Sequence, residues 1–465
     1  MAVPPAPRRS LFGHPNYRKL WTAATVSLFG TQVSQIAIPF IAAVVLKASP
    51  GEVGLLTTIE FLPFIFFTLP AGVWVDRFPK QRILVIGDLG RALFLVSIPI
   101  AYAFNGLTIW QLYVVGFVNG VMTVFFDVAD QSFLPTILER DELVEGNSKL
   151  QISQSSAQIL GQPVGGGLVA LLTAPVAVLI DAASYVGSAL LILWIRVAGR
   201  RATRTATATP LNAGAAATAA TDAAAETSTL AGPALTVDAA VADAAPDADD
   251  EGMRNQIMAG LRYIGHHRFL ANIAASTATS NLFGNIAFAI TPVYFYVTLG
   301  LSPASVGVIG GIGGVGVLLG ALIASRVPRM FGVGPTIVGS IGLGGVFGLL
   351  VPLAPAGDLA VVFLAVSIFA GSAASVVYNV NQVSLRQAIT PEHFLGRMNA
   401  TMRFLVWGTI PIGSLIGAGL SEVIGVHATI WVGSILGLLA FLPVFLSPVR
   451  SLREIPTEDP NVAAA

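Results

Sequence analysis

Apolar segments alternate with short polar ones along most of this chain. Twelve of the apolar segments are predicted as helices, over residues 20–46, 53–75, 83–104, 108–133, 148–173, 175–196, 269–298, 302–325, 334–354, 358–384, 394–421 and 427–447. Each is close to the roughly 20 residues that an α-helix needs to cross a bilayer, and a helix satisfies its own backbone hydrogen bonds in lipid. The pattern therefore predicts an all-α polytopic membrane protein with twelve transmembrane helices.

Lysine and arginine residues fall on alternate sides of these segments. Of the 25 Lys and Arg residues, all but Lys47 and Arg91 lie on the side of the N-terminus or at the helix ends nearest to that side. Cytoplasmic loops of membrane proteins carry such an excess of basic residues. We therefore expect a multi-pass protein of the plasma or inner membrane with both ends, residues 1–19 and 448–465, in the cytoplasm.

The composition argues against several other classes of protein. The chain is 54% apolar and 11% charged, with a mean hydropathy of +0.76, whereas soluble domains contain about 25% charged residues. The net charge is +0, and the basic residues follow the membrane edges without forming a patch for nucleic acid. The absence of cysteine excludes disulfides and thiolate metal sites. The five histidines lack metal-ligand spacing, so we expect no metal, no cofactor and no enzyme activity.

One long insertion separates the sixth and seventh segments. Residues 199–252 are rich in Ala and Thr, contain no aromatic residue and end in an acidic run. Such a tract cannot bury enough apolar surface to fold, so we predict a disordered cytoplasmic linker. Residues 253–268 follow with the spacing of an amphipathic juxtamembrane helix, although an ordinary turn fits them equally well.

The insertion divides the chain into two six-helix bundles, residues 20–198 and 269–447, that look related. Asp130-Gln131 near the end of the fourth segment is matched by Asn381-Gln382 near the end of the tenth, at an offset of about 250 residues. Transporters built from two such parallel repeats are related about the membrane normal. The sequence therefore predicts two pseudo-symmetric bundles.

The junction of the second and third segments carries a charged loop, Gly72-Val-Trp-Val-Asp76-Arg77-Phe-Pro-Lys80-Gln-Arg82. It resembles the signature loop of the major facilitator superfamily, G-x-x-x-D-R-x-G-x-R, with proline where the family usually has its second glycine. The resemblance implies a transporter in which the first glycine permits close helix packing and the charges form a breakable inner latch. The latch candidates are Gly72, Asp76, Arg77, Lys80, Arg82, Asp127 and Asp130.

The fifth segment contains Gly161-Gln-Pro163-Val-Gly165-Gly166, which looks like the glycine-proline motif of superfamily antiporters with the proline one place later. The antiporter interpretation makes it a bend that limits leakage, and the alternative is close helix packing without further function. With Leu179-Ile-Asp181-Ala-Ala-Ser184-Tyr185 on the sixth segment, it is similar to the family branch of the enterobactin exporter and macrolide efflux proteins.

Ionisable residues inside the predicted helices are functional candidates, because a charge in the membrane is costly unless it is paired or hydrated. Glu60 lies about 10 Å from the outer edge, where a role in coupling or substrate binding competes with a structural hydrogen bond. Asp88 and Arg91 are one turn apart, which favours a local ion pair. Asp181 is either a protonation site or a structural partner. The proton-coupling candidates are Glu60, Asp88, Arg91 and Asp181.

The first, fourth, seventh and tenth helices usually line the cavity in this superfamily. Here they offer amides and phenols among apolar residues, which suits an amphipathic solute better than a sugar or a phosphate. The cavity candidates are Gln32, Gln35, Asn119, Asn281, Asn285, Tyr378 and Asn379.

These observations together predict a secondary active transporter. No G-x-x-x-x-G-K-[ST] sequence occurs, so energy is expected from an ion gradient, most simply of protons, or from the substrate gradient. We expect a monomer in the bilayer that exports an amphipathic drug, macrolide-like antibiotic or siderophore by proton antiport. Two alternatives remain open, an importer or facilitator of a small nutrient and a membrane sensor that transports nothing.

Overall fold

The computed structural model describes residues 11–139, 142–196 and 261–456, and every regular element in these ranges is helical. We label its twelve long helical stretches α1 to α12. The first half contains α1 (Pro15–Val45), α2 (Pro50–Arg77), α3 (Lys80–Ala103), α4 (Ile109–Ile137), α5 (143–172) and α6 (Ala174–Leu193). The second half contains α7 (268–298), α8 (Pro303–Ile323), α9 (Val333–Leu353), α10 (Asp358–Ile389), α11 (Glu392–Ile424) and α12 (Val426–Phe445).

The predicted twelve-helix fold is confirmed, and the differences lie at helix ends. The helix α2 begins at Pro50, three residues earlier than predicted, because Ser49 and Glu52 form a capping box there. The helices α4 and α10 continue for about one turn beyond their predicted ends. Hydropathy detects only the apolar part of a helix, so polar turns that extend beyond the lipid escape it.

Ten of the twelve helices are long and apolar enough to cross a membrane by length and composition. The two others are α5 and α7, and regular hydrogen bonding is interrupted in both, as it also is at Ile41–Val45 near the end of α1. A π-helical turn at Ala157–Gly161 divides α5, and a break at residues 289–290 divides α7. Such interruptions often mark functional regions in membrane helices.

The two halves use the same set of helix pairs. In the first half α1 packs on α5 and α6, α3 packs on α4 and α6, and α2 packs on α4. Each of these pairs recurs six helices later, as α7 with α11 and α12, α9 with α10 and α12, and α8 with α10. The halves meet through α2 against α11 and α5 against α8. The predicted pseudo-symmetry is therefore present in the packing.

The hydrophobic cores differ between the two ends of the helices. We call the end where α2 joins α3 the basic end, and the end where α1 joins α2 the opposite end. At the basic end each half has a core of its own, around Phe133 in the first half and Met402 in the second. At the opposite end one cluster includes Val53 of the first half and Tyr296 of the second. The described halves therefore share a core at the opposite end only.

The predicted linker, residues 199–252, lies outside the described residues, as does the first part of the segment 253–268. Residues 261–266 are helical and lead into α7. Within them Ile264 is buried in the second half's core with Phe269 and Leu270. This part of the segment therefore packs against the protein.

Candidate functional site

A buried ion pair lies in the middle of α3. Arg91 Nη2 donates to Asp88 Oδ1 at 2.6 Å, and both residues are buried, with exposed fractions of 5% and 0%. The pair is local because residues three apart lie on the same helix face. The structure therefore contains the ion pair that the spacing predicted.

Aromatic rings enclose the guanidinium of Arg91 on two sides. Its central carbon lies 4.3 Å from the ring centroid of Phe126 on α4 and 4.2 Å from that of Tyr185 on α6. The Tyr185 hydroxyl in turn pairs with Thr31 Oγ1 on α1 at 2.9 Å. Stacking of this kind stabilises a cation inside a low-dielectric environment. Four helices of the first half therefore meet around one arginine.

Three further carboxylates surround this pair. Asp181 on α6 is buried and accepts a hydrogen bond from the Ser184 hydroxyl at 3.3 Å. Asp127 and Asp181 both lie in the electrostatic field of Arg91, and Asp130 lies in the field of Arg91 and Asp88. We define the charge cluster as Asp88, Arg91, Asp127, Asp130 and Asp181.

Close packing of α1 and α6 holds one side of the charge cluster in place. A Cβ atom added at Gly30 on α1 would lie 2.8 Å from Asp181 Oδ1, and it would collide with the Ser184 side chain. Only glycine lets α6 come this near to α1. The position of Asp181 therefore depends on a residue that carries no side chain.

The charge cluster combines residues that the sequence placed in two groups. Asp127 and Asp130 were predicted in the inner latch, whereas Asp88, Arg91 and Asp181 were predicted for proton coupling. Asp88 and Asp181 are buried, whereas Asp127 and Asp130 are half-buried. Four carboxylates near one guanidinium are costly to keep charged together in a protein interior, which makes the cluster a candidate for proton binding. Phe126 was not among the predicted residues, although its position one residue before Asp127 was a usable signal.

Glu60 forms a separate site on α2. Counted from Pro50 it lies ten residues into the helix, about 15 Å from the helix start. It packs against α4, where a Cβ atom at Gly116 would lie 2.9 Å from Glu60 Cγ. Among the described residues no side chain forms an ion pair with Glu60. It is thus a half-buried carboxylate without a cation.

One of the described latch candidates, Lys80 on α3, bonds to the neighbouring helix α4. Lys80 Nζ donates to the Ser132 carbonyl oxygen on α4 at 3.3 Å. Between described residues the ion pairs are Asp88–Arg91 and Glu145–Lys149, so Arg77 and Lys80 do not pair with Asp130. The side chain of Asp76 lies outside the described residues, and Arg77 and Arg82 are exposed.

The close helix approach expected at Gly72 is not found among the described atoms. No such atom would lie within 4 Å of a Cβ atom added at Gly72. The second half approaches α2 nearer the opposite end, where Gly54 contacts Ala418 of α11. The described close approach of α2 to the second half is therefore at Gly54 and not at Gly72.

The glycines of α5 pack against two different helices. A Cβ atom at Gly161 would lie 2.7 Å from Gln32 Cγ, and one at Gly165 would lie 3.0 Å from the Gln32 carbonyl oxygen, both on α1. Gly166 faces the other half and contacts Pro303 and Gly307 of α8.

The regular hydrogen bonding of α5 changes just before its proline. The π-helical turn ends at Gly161, two residues before Pro163, and the Pro163 ring fits against Gly311 of α8. Close packing is therefore present in α5, and the bend stays a prediction.

The cavity candidates divide into two groups. Three of them connect helices within the second half. The Tyr378 hydroxyl pairs with Thr277 Oγ1 at 2.7 Å, Asn281 Nδ2 donates to the Val406 carbonyl oxygen at 3.4 Å, and Asn285 packs on Gly413.

The remaining candidates are the better choices for contact with a solute. The buried side-chain oxygens of Gln32, Gln35 and Asn119 have no hydrogen-bond partner among the described residues, and Asn379 is buried. A buried amide oxygen without a partner is costly and favours a ligand or water that supplies a donor.

Comparison with known proteins gives a consistent result. A sequence profile of the Major Facilitator Superfamily matches residues 20–410 and 269–464. The multidrug efflux pump Tap of Mycolicibacterium fortuitum is 23% identical over 92% of this chain and 95% of its own length. Macrolide efflux protein A of Streptococcus pyogenes is 24% identical, over 38% of this chain and 44% of its own length. The uncharacterised MFS-type transporter YfiS of Bacillus subtilis is 28% identical over 38% of this chain and 41% of its own length.

Solved structures show the same fold at low identity. A bacterial homologue of the iron transporter ferroportin in an inward-facing state superposes with a TM-score of 0.69 at 15% identity, covering 94% of this chain and 99% of that one. The same homologue in an outward-facing state gives a TM-score of 0.51 at 16% identity, covering 93% and 98%.

Proposed function

Because the chain belongs to the major facilitator superfamily, we propose that it exports an amphipathic small molecule by alternating access, in exchange for protons. The observation that carries this proposal is the charge cluster, which holds four carboxylates and one guanidinium inside the first half. A buried group of this kind inside a membrane helix bundle is a site where protons bind and leave.

The arrangement of the cores supports a transporter that is open at the basic end. The halves share apolar residues at the opposite end and have separate cores at the basic end. The distribution of Lys and Arg places the basic end in the cytoplasm. The conformation is then an inward-facing one, in which the solute enters from the cytoplasm or the inner leaflet.

Proton coupling follows from competition for Arg91. In this conformation Arg91 pairs with Asp88, while Asp181, on a different helix, lies in the electrostatic field of Arg91. A proton that neutralises one of these carboxylates directs Arg91 towards the other and changes the packing of α3 on α6. Since α3 and α6 are packed together, such a shift reorients the first half as a unit.

The cargo is proposed to be a drug-like or macrolide-like amphiphile. The unpartnered amide oxygens of Gln35 and Asn119 offer hydrogen-bond acceptors in apolar surroundings, which fits a solute that is apolar with a few donors. Relatives named for multidrug and macrolide efflux support export as the direction of transport and a drug-like or macrolide-like solute.

Retention of labelled compounds in an efflux-deficient host tests this proposal. The panel contains macrolides, tetracyclines, dyes and a catecholate siderophore, and cells with and without the chain are compared in the presence and absence of a protonophore. We expect protonophore-sensitive loss of at least one compound. Export at the same rate with and without the protonophore would overturn proton antiport. Uptake in place of export would favour the nutrient importer.

A matched pair of variants tests the role of the charge cluster. Asp181→Asn is expected to abolish proton-dependent export, because it removes one partner of Arg91. Glu145→Gln is the control, since Glu145 forms a half-exposed ion pair with Lys149 that lies outside the cluster and contributes little. Equal activity of Asp181→Asn and the unchanged protein would place the proton site elsewhere, with Glu60 the next residue to test.

A further inference from the structure

The amino end of α2 has one backbone donor that its own capping box does not satisfy. Ser49 Oγ accepts from the Glu52 backbone N–H at 3.2 Å, and the Ser49 N–H donates to Glu52 Oε2 at 2.7 Å. Pro50 has no N–H, and the Val53 N–H is bonded to the Ser49 carbonyl. The N–H of Gly51 therefore needs a partner from outside the helix.

The second half of the protein supplies that partner. Gly51 N–H donates to Glu422 Oε1 at 2.7 Å, across 371 residues of sequence. Glu422 lies in the last turn of α11, at the opposite end, and is exposed. A carboxylate at a helix amino end forms a charge-assisted hydrogen bond and interacts favourably with the helix dipole.

The residue at position 51 makes this contact possible. A Cβ atom at Gly51 would lie 2.6 Å from Glu422 Oε1 and 2.9 Å from Glu422 Cγ. Any other residue there would displace the carboxylate from its position. One turn further along α2, Gly54 packs as closely on Ala418 of α11. Two small residues thus bring the helices of different halves together.

The Ser49 side chain also hydrogen-bonds to Glu422, and other contacts between the described parts of the halves at this end are apolar. Phe40 and Tyr296 meet edge to face at 5.0 Å, and Gly166 packs against Gly307. Apolar contacts add buried surface area but constrain the relative position of two helices only weakly. A charged hydrogen bond has a preferred distance and angle, so it requires one relative position of α2 and α11. The bond between Gly51 and Glu422 is lost as soon as these helices separate at the opposite end.

We propose that Glu422 is a gate residue whose carboxylate, bound to the amino end of α2, holds the two halves closed at the end opposite the basic end. Opening at that end requires Glu422 to exchange its hydrogen bond with the Gly51 N–H for one with water. The proposal rests on the alternating-access part of the proposed function, and it does not depend on the cargo or on protons.

Distance measurements between the halves test this gate directly. Since the chain contains no cysteine, nitroxide labels can be placed at Thr108→Cys and Ala356→Cys without other changes. Both positions are exposed and lie in the loops of the opposite end, one in each half. Pulsed electron paramagnetic resonance on the purified full-length protein then reports how often that end is open.

A graded series of substitutions separates charge from hydrogen bonding. Glu422→Gln keeps an acceptor but removes the charge, and Glu422→Ala removes both. We expect the ratio of open to closed molecules to rise about twofold for Glu422→Gln and about fivefold for Glu422→Ala. Gly51→Ala, which displaces the carboxylate but keeps its charge, is expected to match Glu422→Ala.

Glu52→Gln is the matched control. It also removes a carboxylate from the amino end of α2, but the bond it weakens lies within the helix. We expect unchanged distances for Glu52→Gln. The gate is refuted when Glu422→Ala leaves the distances unchanged, or when Glu52→Gln shifts them equally. If the distances shift while no compound is exported, the gate stands and the export proposal fails.

Discussion

The two halves of this protein share one arrangement of helices but differ in the chemistry they bury. The same helix pairs recur in both halves. In the first half α3, α4 and α6 bring together the charge cluster, whereas their counterparts α9, α10 and α12 contain one buried Lys, Arg, Asp or Glu among the described residues, Arg386 of α10. The shared arrangement therefore does not require a buried cluster of carboxylates, and the cluster in the first half is an addition to it.

The counterparts of two cluster residues show how the second half differs. At the position that corresponds to Asp130 the second half has Asn381, whose side-chain nitrogen donates to the carbonyl oxygens of Ala324 at 3.1 Å and Val377 at 2.8 Å. At the position that corresponds to Asp127 it has Tyr378, which is bonded to α7. Neutral side chains with hydrogen bonds stabilise the packing there. We infer that protons bind in the first half, and that the second half moves relative to it without binding protons itself.

Removal of the cluster's cation is expected to have the largest effect. Arg91→Met leaves Asp88 buried without a partner, which costs about 3 to 5 kcal/mol. We expect a strongly lowered thermal unfolding temperature in detergent and no proton-dependent export. The double variant Asp88→Asn with Arg91→Met is the control, and it is expected to recover much of the stability. A single variant as stable as the unchanged protein would contradict a buried pair.

Replacement of a cluster residue in the first half by its counterpart from the second half is expected to have the next largest effect on transport. Asp130→Asn places in the first half the residue that the second half has at the corresponding position. We expect normal insertion and folding but a loss of proton-coupled export of about tenfold or more, since a titrating group is removed. Proton uptake into proteoliposomes during substrate exchange measures this. Full coupling in Asp130→Asn would show that the cluster binds its proton without Asp130.

A substitution at the contact between α5 and α8, which joins the two halves, is expected to have a smaller effect on transport. Gly166→Ala adds a methyl group against Pro303 and Gly307, whereas Gly167→Ala adds one where no described atom lies within 4 Å. Overpacking at a close contact costs about 1 to 3 kcal/mol. We expect Gly166→Ala to reduce transport about tenfold and Gly167→Ala to leave it unchanged, as measured by initial export rates at matched expression. Equal rates would mean that this contact does not limit the cycle.

The smallest effect is expected from the connection between the halves. Deletion of residues 205–245, which lie outside the described residues, is expected to change export by less than about twofold, since their composition cannot form a packed core. Export rates normalised to membrane-inserted protein measure this. A loss of activity in a normally inserted protein would assign the segment more than a tethering role.

Local features of the fold and site followed from sequence because neighbouring residues decide them. The twelve helices depend on runs of apolar residues, and the Asp88–Arg91 pair depends on a spacing of three within one helix. Helix ends were less accurate, as at Pro50, because a capping box begins a helix before its apolar part does. The cavity candidates stay predictions, and the structure adds that Tyr378, Asn281 and Asn285 connect helices within the second half.

The amino-acid sequence by itself determined the number of helices, the family and the presence of buried charge. Only the tertiary structure decided that Asp130 and Asp181 lie in the electrostatic field of one arginine, that Tyr185 stacks on it, and that Glu422 reaches Gly51. The physical reason is that lipid is as apolar as the protein interior, so a membrane helix carries little pattern to show which face points inwards. The rotation of each helix about its axis, and with it every contact between helices, is set by close packing of small residues and by hydrogen bonds that become visible only when the helices are assembled.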